Sequence, residues 1–154
     1  FTKTAYYTGL VPLSEIQDKW YWTAHPPLKR EYNELLDFLS VHYNYDQKPL
    51  GCLCPGLSIP FSMLQKMKYI ELPEYGNDEL RLPFYAQLAG SRIRNNGFYK
   101  KWFSKHEFVY FNCNNYEVTR KRLFRQLRKR NGRRIFHPVR YYIDLKKVMK
   151  LLKR

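Results

Sequence analysis

Apolar residues recur at helical spacing most clearly between Leu28 and Tyr43. There Leu28, Tyr32, Leu35, Leu36, Leu39 and Tyr43 fall on one stripe, while Glu31, Glu34 and Asp37 lie largely off it. Pro27 is placed to open this helix, and Arg30 stands four residues before Glu34, a spacing that favours an ion pair across one turn. A shorter helical patch is expected around Ser14–Trp22 with Ser14 as its cap, and another over roughly 61–71 with Leu64 and Met67 facing inward. The segment KPLGCLCPGLSIP, punctuated by Pro49, Gly51, Pro55, Gly56 and Pro60, reads as a loop, and so does ELPEYGNDELRLP. SRIRNNG reads as an exposed basic turn.

Beyond residue 100 the period changes. KHEFVYFNC, from Lys105, alternates Phe108 and Tyr110 against Val109 and Phe111, which predicts a buried strand, and 134–137 predicts a second short one. Asn114 or Asn115 is expected to cap a helix running to about Arg130, with Asn131-Gly132 as its stop. On a wheel centred at Leu123, the residues Tyr116, Phe124 and Leu127 gather on the same side, and Lys121, Arg122, Arg125, Arg128 and Lys129 on the other. Pro138 is expected to open a second helix of the same design. Its apolar face is Tyr141, Tyr142, Leu145, Val148, Met149 and Leu152, with Arg140, Lys146, Lys147, Lys150 and Lys153 mostly away from it.

These elements predict an α+β chain, mostly helical: a small irregular domain with two basic amphipathic C-terminal helices. Residues 1–27, with Tyr6, Tyr7, Trp20, Tyr21 and Trp22 among Gly9, Pro12, Pro26 and Pro27, are expected to form an extended aromatic arm, packed on its own domain or on a partner. Residues 28–90 would supply a near-neutral helical and loop part of the core, and 91–154 a basic part with a short strand and the two helices.

Charge sharpens this division. The 154-residue chain carries a formal charge of +15. Residues 1–90 hold eight Lys/Arg against ten Asp/Glu, whereas 91–154 hold twenty against three. The run RKRLFRQLRKRNGRR, 120–134, has nine cations and no acid. Pairs such as Lys121–Arg125 and Arg125–Lys129 each cost a few tenths of a kcal/mol in an isolated helix, so helix physics alone does not select them. A polyanion does, because each neutralised phosphate releases condensed counterions. The candidate RNA contacts are Arg92, Arg94, Lys100, Lys101 and Lys105 upstream; Lys121, Arg122, Arg125, Arg128, Lys129 and Arg130 on the first basic helix; Arg133 and Arg134 in the turn; and Arg140, Lys146, Lys147 and Lys150 on the second. Tyr99, Trp102, Phe103, Tyr141 and Tyr142 are interleaved with them and offer stacking faces, although most such rings serve a core. There is no zipper, paired finger, helix-turn-helix, RNA-recognition-motif or KH pattern, which suits a protein holding one structured RNA within an assembly.

Other chemistries find little footing. Cys52-x-Cys54, with His106 and Cys113 as completing ligands, has one and six intervening residues where structural zinc uses two to four, so the thiols read as structural. His25, His42 and His137 sit beside Pro or Tyr without a nucleophile at local spacing, and no phosphate-cradling glycine loop or nucleophile elbow occurs. The expectation is therefore no enzyme, no cofactor, no metal and no small-molecule substrate. No apolar run approaches a membrane span, and the odd count of three cysteines points to a reducing compartment. The start at Phe1 fits removal of an import presequence and equally a fragment.

In layout, with basic amphipathic helices over 115–154, an aromatic arm, a near-neutral half and no catalytic motif, the chain resembles the accessory (supernumerary) proteins of mitochondrial ribosomes. The resemblance implies a structural role in a ribosomal subunit in the mitochondrial matrix, the basic segment on ribosomal RNA and the near-neutral half on neighbouring ribosomal proteins. An RNA-processing or ribosome-assembly factor, and a nuclear or nucleolar protein using RKRNGRR for localisation, remain open readings. So does a matrix-side peripheral subunit of a membrane complex, whose polybasic faces would meet cardiolipin.

Overall fold

The computed structural model describes residues 4–74, 77–112 and 117–152, and the chain divides into two compact units, Phe1–Phe98 and Tyr99–Arg154. Of the expectations above, those on Cys113, Asn114, Asn115, Tyr116 and Lys153, and on the side chains of Leu145, Lys147 and Leu152, lie outside the described residues.

The first unit is built on a mixed sheet of strands β1 (Thr4–Pro12), β2 (Leu50–Ser58) and β3 (Arg92–Asn95), in the order β2-β1-β3. The aromatic stretch is extended as expected over these first residues. It is the central strand, however, not an arm: β1 pairs antiparallel with β2 (Pro12 opposite Leu50) and parallel with β3 (Thr4 opposite Arg92). Ala5 and Tyr7 are fully buried, and the Tyr7 hydroxyl donates to the Leu82 carbonyl at 3.1 Å. After a 3-10 turn at Leu13–Glu15, a short helix α1 (Tyr21–Ala24) continues the unit.

The Pro/Gly-rich segment expected to be a loop is an edge strand. Pro55 is tolerated there because an edge strand need not donate every N–H, and irregularities between the Tyr6, Thr8 and Val11 pairings absorb the misfit. Gly51 has a steric reason: a Cβ would sit 2.7 Å from Leu13 Cδ2 and 2.8 Å from Trp20 Cζ3. SRIRNNG is likewise not only a turn, since Arg92–Asn95 form β3.

Helix α2 (Pro26–Tyr43) follows its stripe. Tyr32, Leu35 and Leu39 are buried, Leu36 and Tyr43 pack at the edge of the same cluster, and Asn44 ends the helix in a left-handed conformation (φ 48°). Fully burying each of the two leucines is worth about 1.5–3 kcal/mol. In α3 (Phe61–Met67) the inward residue is Met63, 2% exposed, with Met67 partly buried. Leu64 points outward, 46% exposed, contrary to the sequence reading.

The segment ELPEYGNDELRLP, expected to be a loop, opens helix α4 (Asp78–Leu88) instead, which runs on through Pro83. Asn77 caps it by accepting from the Glu79 N–H at 2.8 Å. Pro83 cannot donate to the carbonyl four residues back, which belongs to Glu79, and that oxygen accepts instead from the Cys52 thiol at 3.4 Å. The buried Glu79 carboxylate accepts from Trp22 Nε1 and from the Cys54 N–H, both at 3.1 Å. Ala86 and Ala89 of this region close one core cluster with Ala5, Tyr7, Cys52 and Met63, and Phe84 closes a second with Leu35, Leu39 and Leu72.

The second unit holds α5 (Lys105–Phe108), α6 (Arg120–Leu127) and α7 (Leu145–Leu152) around Tyr110, Val118, Leu123 and Leu127, with Phe124, Phe136, Val139, Ile143 and Val148 packed on them. The strand predicted from Lys105 is not formed. Ser104-x-x-Glu107 starts a helix instead, Ser104 Oγ accepting from the Glu107 N–H at 3.5 Å. Of the second predicted strand only a bridge between Phe111 and His137 exists. Helix α6 is shorter than expected, capped by Thr119, and α7 begins at Leu145 rather than at Pro138. Among the described residues no helix is long and apolar enough to cross a membrane.

Candidate nucleic-acid interface

The wheel drawn for α6 holds where it can be checked. Leu123 and Leu127 are buried at 3% and 5% exposure and Phe124 is partly buried, while Lys121, Arg122 and Arg125 are exposed; Arg128, Lys129 and Arg130, also exposed, follow the end of the helix. The Thr119 hydroxyl accepts from the Arg122 N–H at 3.4 Å, so the helix starts where its cations start. The described ion pairs are Arg30–Glu34, His106–Glu107 and Arg133–Glu107, and none reaches α6.

The three acids of 91–154 are engaged elsewhere. Glu107 takes Arg133 and the Lys100 N–H, Glu117 accepts from the Arg140 N–H at 3.0 Å, and Asp144 accepts from the Lys146 N–H at 2.9 Å. The positive field registers on the buried Tyr110. Burial by itself would raise its phenol. Hydrogen bonds from Arg125 and Gln126, with the charges of Arg125 and Arg122, outweigh that and bring it below its ordinary value.

Not every sequence candidate is an exposed cation of the second unit. Arg92 and Arg94 are exposed on β3, in the first unit. Arg133 is internal: its Nη2 lies 2.6 Å from Glu107 Oε2, its side chain is 12% exposed against 7% for Glu107, and its guanidinium sits 5.7 Å from the Tyr110 ring centre. Arg134 folds back on the chain's own turn. Its guanidinium donates to the carbonyls of Gly132 (2.7 Å), Lys129 (3.0 Å), Gln126, Arg130 and Arg133, so it holds together the turn that follows α6. Gly132 is required in this turn because a Cβ would run into the Gln126 carbonyl. Arg125 is partly committed, donating to the Tyr110 hydroxyl at 3.4 Å.

The remaining described candidates, Lys100, Lys101, Lys105, Arg140, Lys146 and Lys150, are exposed. Arg120, absent from the sequence list, lies 5.0 Å from the Tyr141 ring centre, and the Tyr141 hydroxyl is tied to the Val118 carbonyl at 2.8 Å. Of the five interleaved aromatics, Tyr99 is core at 8% exposure and Tyr141 and Trp102 are partly buried. Phe103 at 49% and Tyr142 at 84% are open.

The Cys52, Cys54, His106 and Cys113 set is not a described cluster. Among the described residues no group of three His, Cys, Asp or Glu is placed to hold a metal. Burial, then the charges of Glu79 and Asp78, push the Cys54 thiol up to about 12, which leaves it a poor nucleophile and a poor ligand near neutrality. Compared with protein-family models, with curated proteins and with solved structures, the chain matches none.

Proposed function

We propose that this protein is a structural RNA-binding component of a ribosomal subunit, most specifically of the mitochondrial ribosome, with its basic second unit against ribosomal RNA. The observation that carries the reading is the cation cluster of α6 and the turn after it: Lys121 and Arg122 on the helix, Arg128 at its cap and Lys129 and Arg130 beyond it are exposed with no described carboxylate within ion-pair distance. Phosphates spaced along an RNA backbone neutralise such a face, and binding of that kind weakens steeply with salt. The first unit supports the other half of the proposal. It is near neutral and exposes Val41 (76%), Phe61 (73%) and Tyr69 (77%), surface suited to neighbouring proteins rather than to RNA.

The test is sedimentation of a gentle lysate on a density gradient, with and without ribonuclease. Co-migration with one ribosomal subunit, abolished by digestion, is the expected result and identifies the subunit. Restriction to precursor particles would make the protein an assembly factor. Tyr142 and Met149 (52% exposed) beside Lys146 and Lys150 favour one second reading, a basic amphipathic surface resting on anionic lipid. Migration with a detergent-solubilised membrane complex, indifferent to ribonuclease, would select it.

A further inference from the structure

The loop that joins Tyr99 to α5 carries a half-exposed aromatic ring in a conformation that aromatic residues avoid. Phe103 has φ 58°, in the left-handed region where a bulky side chain is strained and Gly or Asn is preferred. A turn alone would be better served by either. A core position would bury the ring as it buries Tyr99, yet Phe103 is 49% exposed. Neither the chain reversal nor the core therefore accounts for a phenylalanine here.

The ring is nonetheless held. It packs on Trp102 (centres 5.9 Å apart, planes at 59°), Trp102 meets Tyr99 edge-on (5.8 Å, 78°), and Tyr99 leans on the buried Phe111 (5.8 Å, 53°). This ladder of rings runs from the core of the second unit to its surface. The loop backbone is pinned on both sides by Glu107, whose carboxylate accepts from the Lys100 N–H at 3.3 Å and whose own N–H donates to Ser104. Lys100, Lys101 and Lys105 are exposed around it. A positioned aromatic face rimmed by cations is what stacks an unpaired base while its flanking phosphates are neutralised.

We propose that the 99–105 loop is a stacking site for an unpaired nucleobase, with Phe103 as the platform and Lys101 and Lys105 on the adjoining phosphates. The proposal rests on the RNA-binding reading and deepens it. In this assignment α6 supplies sequence-independent backbone affinity, and the loop gives a preference for single-stranded segments over duplex.

The test uses the full chain and two labelled probes, a single-stranded RNA oligonucleotide and the duplex of the same sequence, titrated by fluorescence anisotropy. Phe103→Asn suits the left-handed backbone and removes the ring, Phe103→Leu keeps apolar bulk without a π face, and Phe103→Trp keeps the face. The Asn and Leu variants should lose about 5- to 150-fold in single-strand affinity, the range expected for one stacked base. Trp should retain affinity, and duplex binding and the salt slope should not change, since no phosphate contact is removed. Single-strand affinity unaltered in Asn and Leu would overturn the assignment. So would loss of cooperative melting in both, because the ring would then be held for the core. Loss of binding to phosphatidylcholine/phosphatidylserine vesicles with RNA affinity intact would overturn it in favour of a lipid anchor. A wild-type chain that binds neither RNA probe would fail the RNA reading as a whole, whereas one that binds both but ignores Phe103 fails this proposal alone.

Discussion

Replacing Arg133 by Met should destabilise the second unit far more than the loss of an ordinary surface arginine. The Arg133–Glu107 pair is closed at 2.6 Å with side chains 12% and 7% exposed, so the attraction is little screened by solvent. Removing the guanidinium leaves the Glu107 carboxylate buried with the Lys100 N–H as its remaining described donor besides His106, which lies at 4.0 Å and is itself exposed. Breaking a buried pair from one side costs about 3–5 kcal/mol, where an exposed pair costs about 1 kcal/mol or less. Arg133 also donates its N–H to Gln126 Oε1 at 3.2 Å, and Gln126 donates to the Tyr110 hydroxyl at 3.0 Å, so the disturbance reaches α6. Native-state hydrogen exchange reads it there, at amides such as Leu123, bonded to the Thr119 carbonyl at 3.0 Å. The expected acceleration runs from about a hundredfold to several thousandfold. Combining Arg133→Met with Glu107→Gln removes both charges and should recover part of the loss, a coupling of about 2–3 kcal/mol in a double-mutant cycle. Acceleration below about fivefold for Arg133→Met, with no coupling, would refute the reasoning and return Arg133 to the surface cations.

Three further outcomes follow from the same geometry. Arg134→Ala should lower stability by about 1–2 kcal/mol in thermal melting without changing the salt slope of the proposed RNA binding, because its guanidinium serves the turn after α6; Arg134→Lys should restore only part of it. If the proposed RNA binding holds, reversing Arg122, Arg128 and Lys129 to Glu should leave melting nearly unchanged and reduce the slope of log RNA affinity against log salt by about two to three. A folded variant with an unchanged slope would mean that the face is merely solvated. Cys54 should react with iodoacetamide at pH 8 more than about a hundredfold slower than a free thiol, read by peptide mapping. With its pKa raised from 9 to about 12, the neutral thiol's contribution to stability is complete below pH 9 and is lost as pH climbs towards 12.

Local periodicity and charge were enough for some of this protein. The stripe from Tyr32 to Leu39 determined α2, and the two-faced pattern around Leu123 determined which cations of α6 meet solvent, because both depend only on 3.6-residue spacing along one segment. The segregation of charge into 91–154 is likewise a property of the chain itself. Some local signals were outweighed by a competing period: Ser104-x-x-Glu107 marks a helix start, yet the alternation of Phe108 to Phe111 masked it.

The rest depended on partners distant in sequence. A Pro/Gly segment became β2 because β1 lay beside it, and α4 tolerates Pro83 because the Cys52 thiol meets the carbonyl that proline leaves open. Arg133 and Arg134 are indistinguishable from their neighbours in a run of like charges. One is withdrawn by a carboxylate 26 residues away and the other by the carbonyls of the turn after α6. Spacing along a chain decides which face a side chain shares, but only the folded backbone brings the donor to its acceptor, and that pairing decides which cations remain for a ligand.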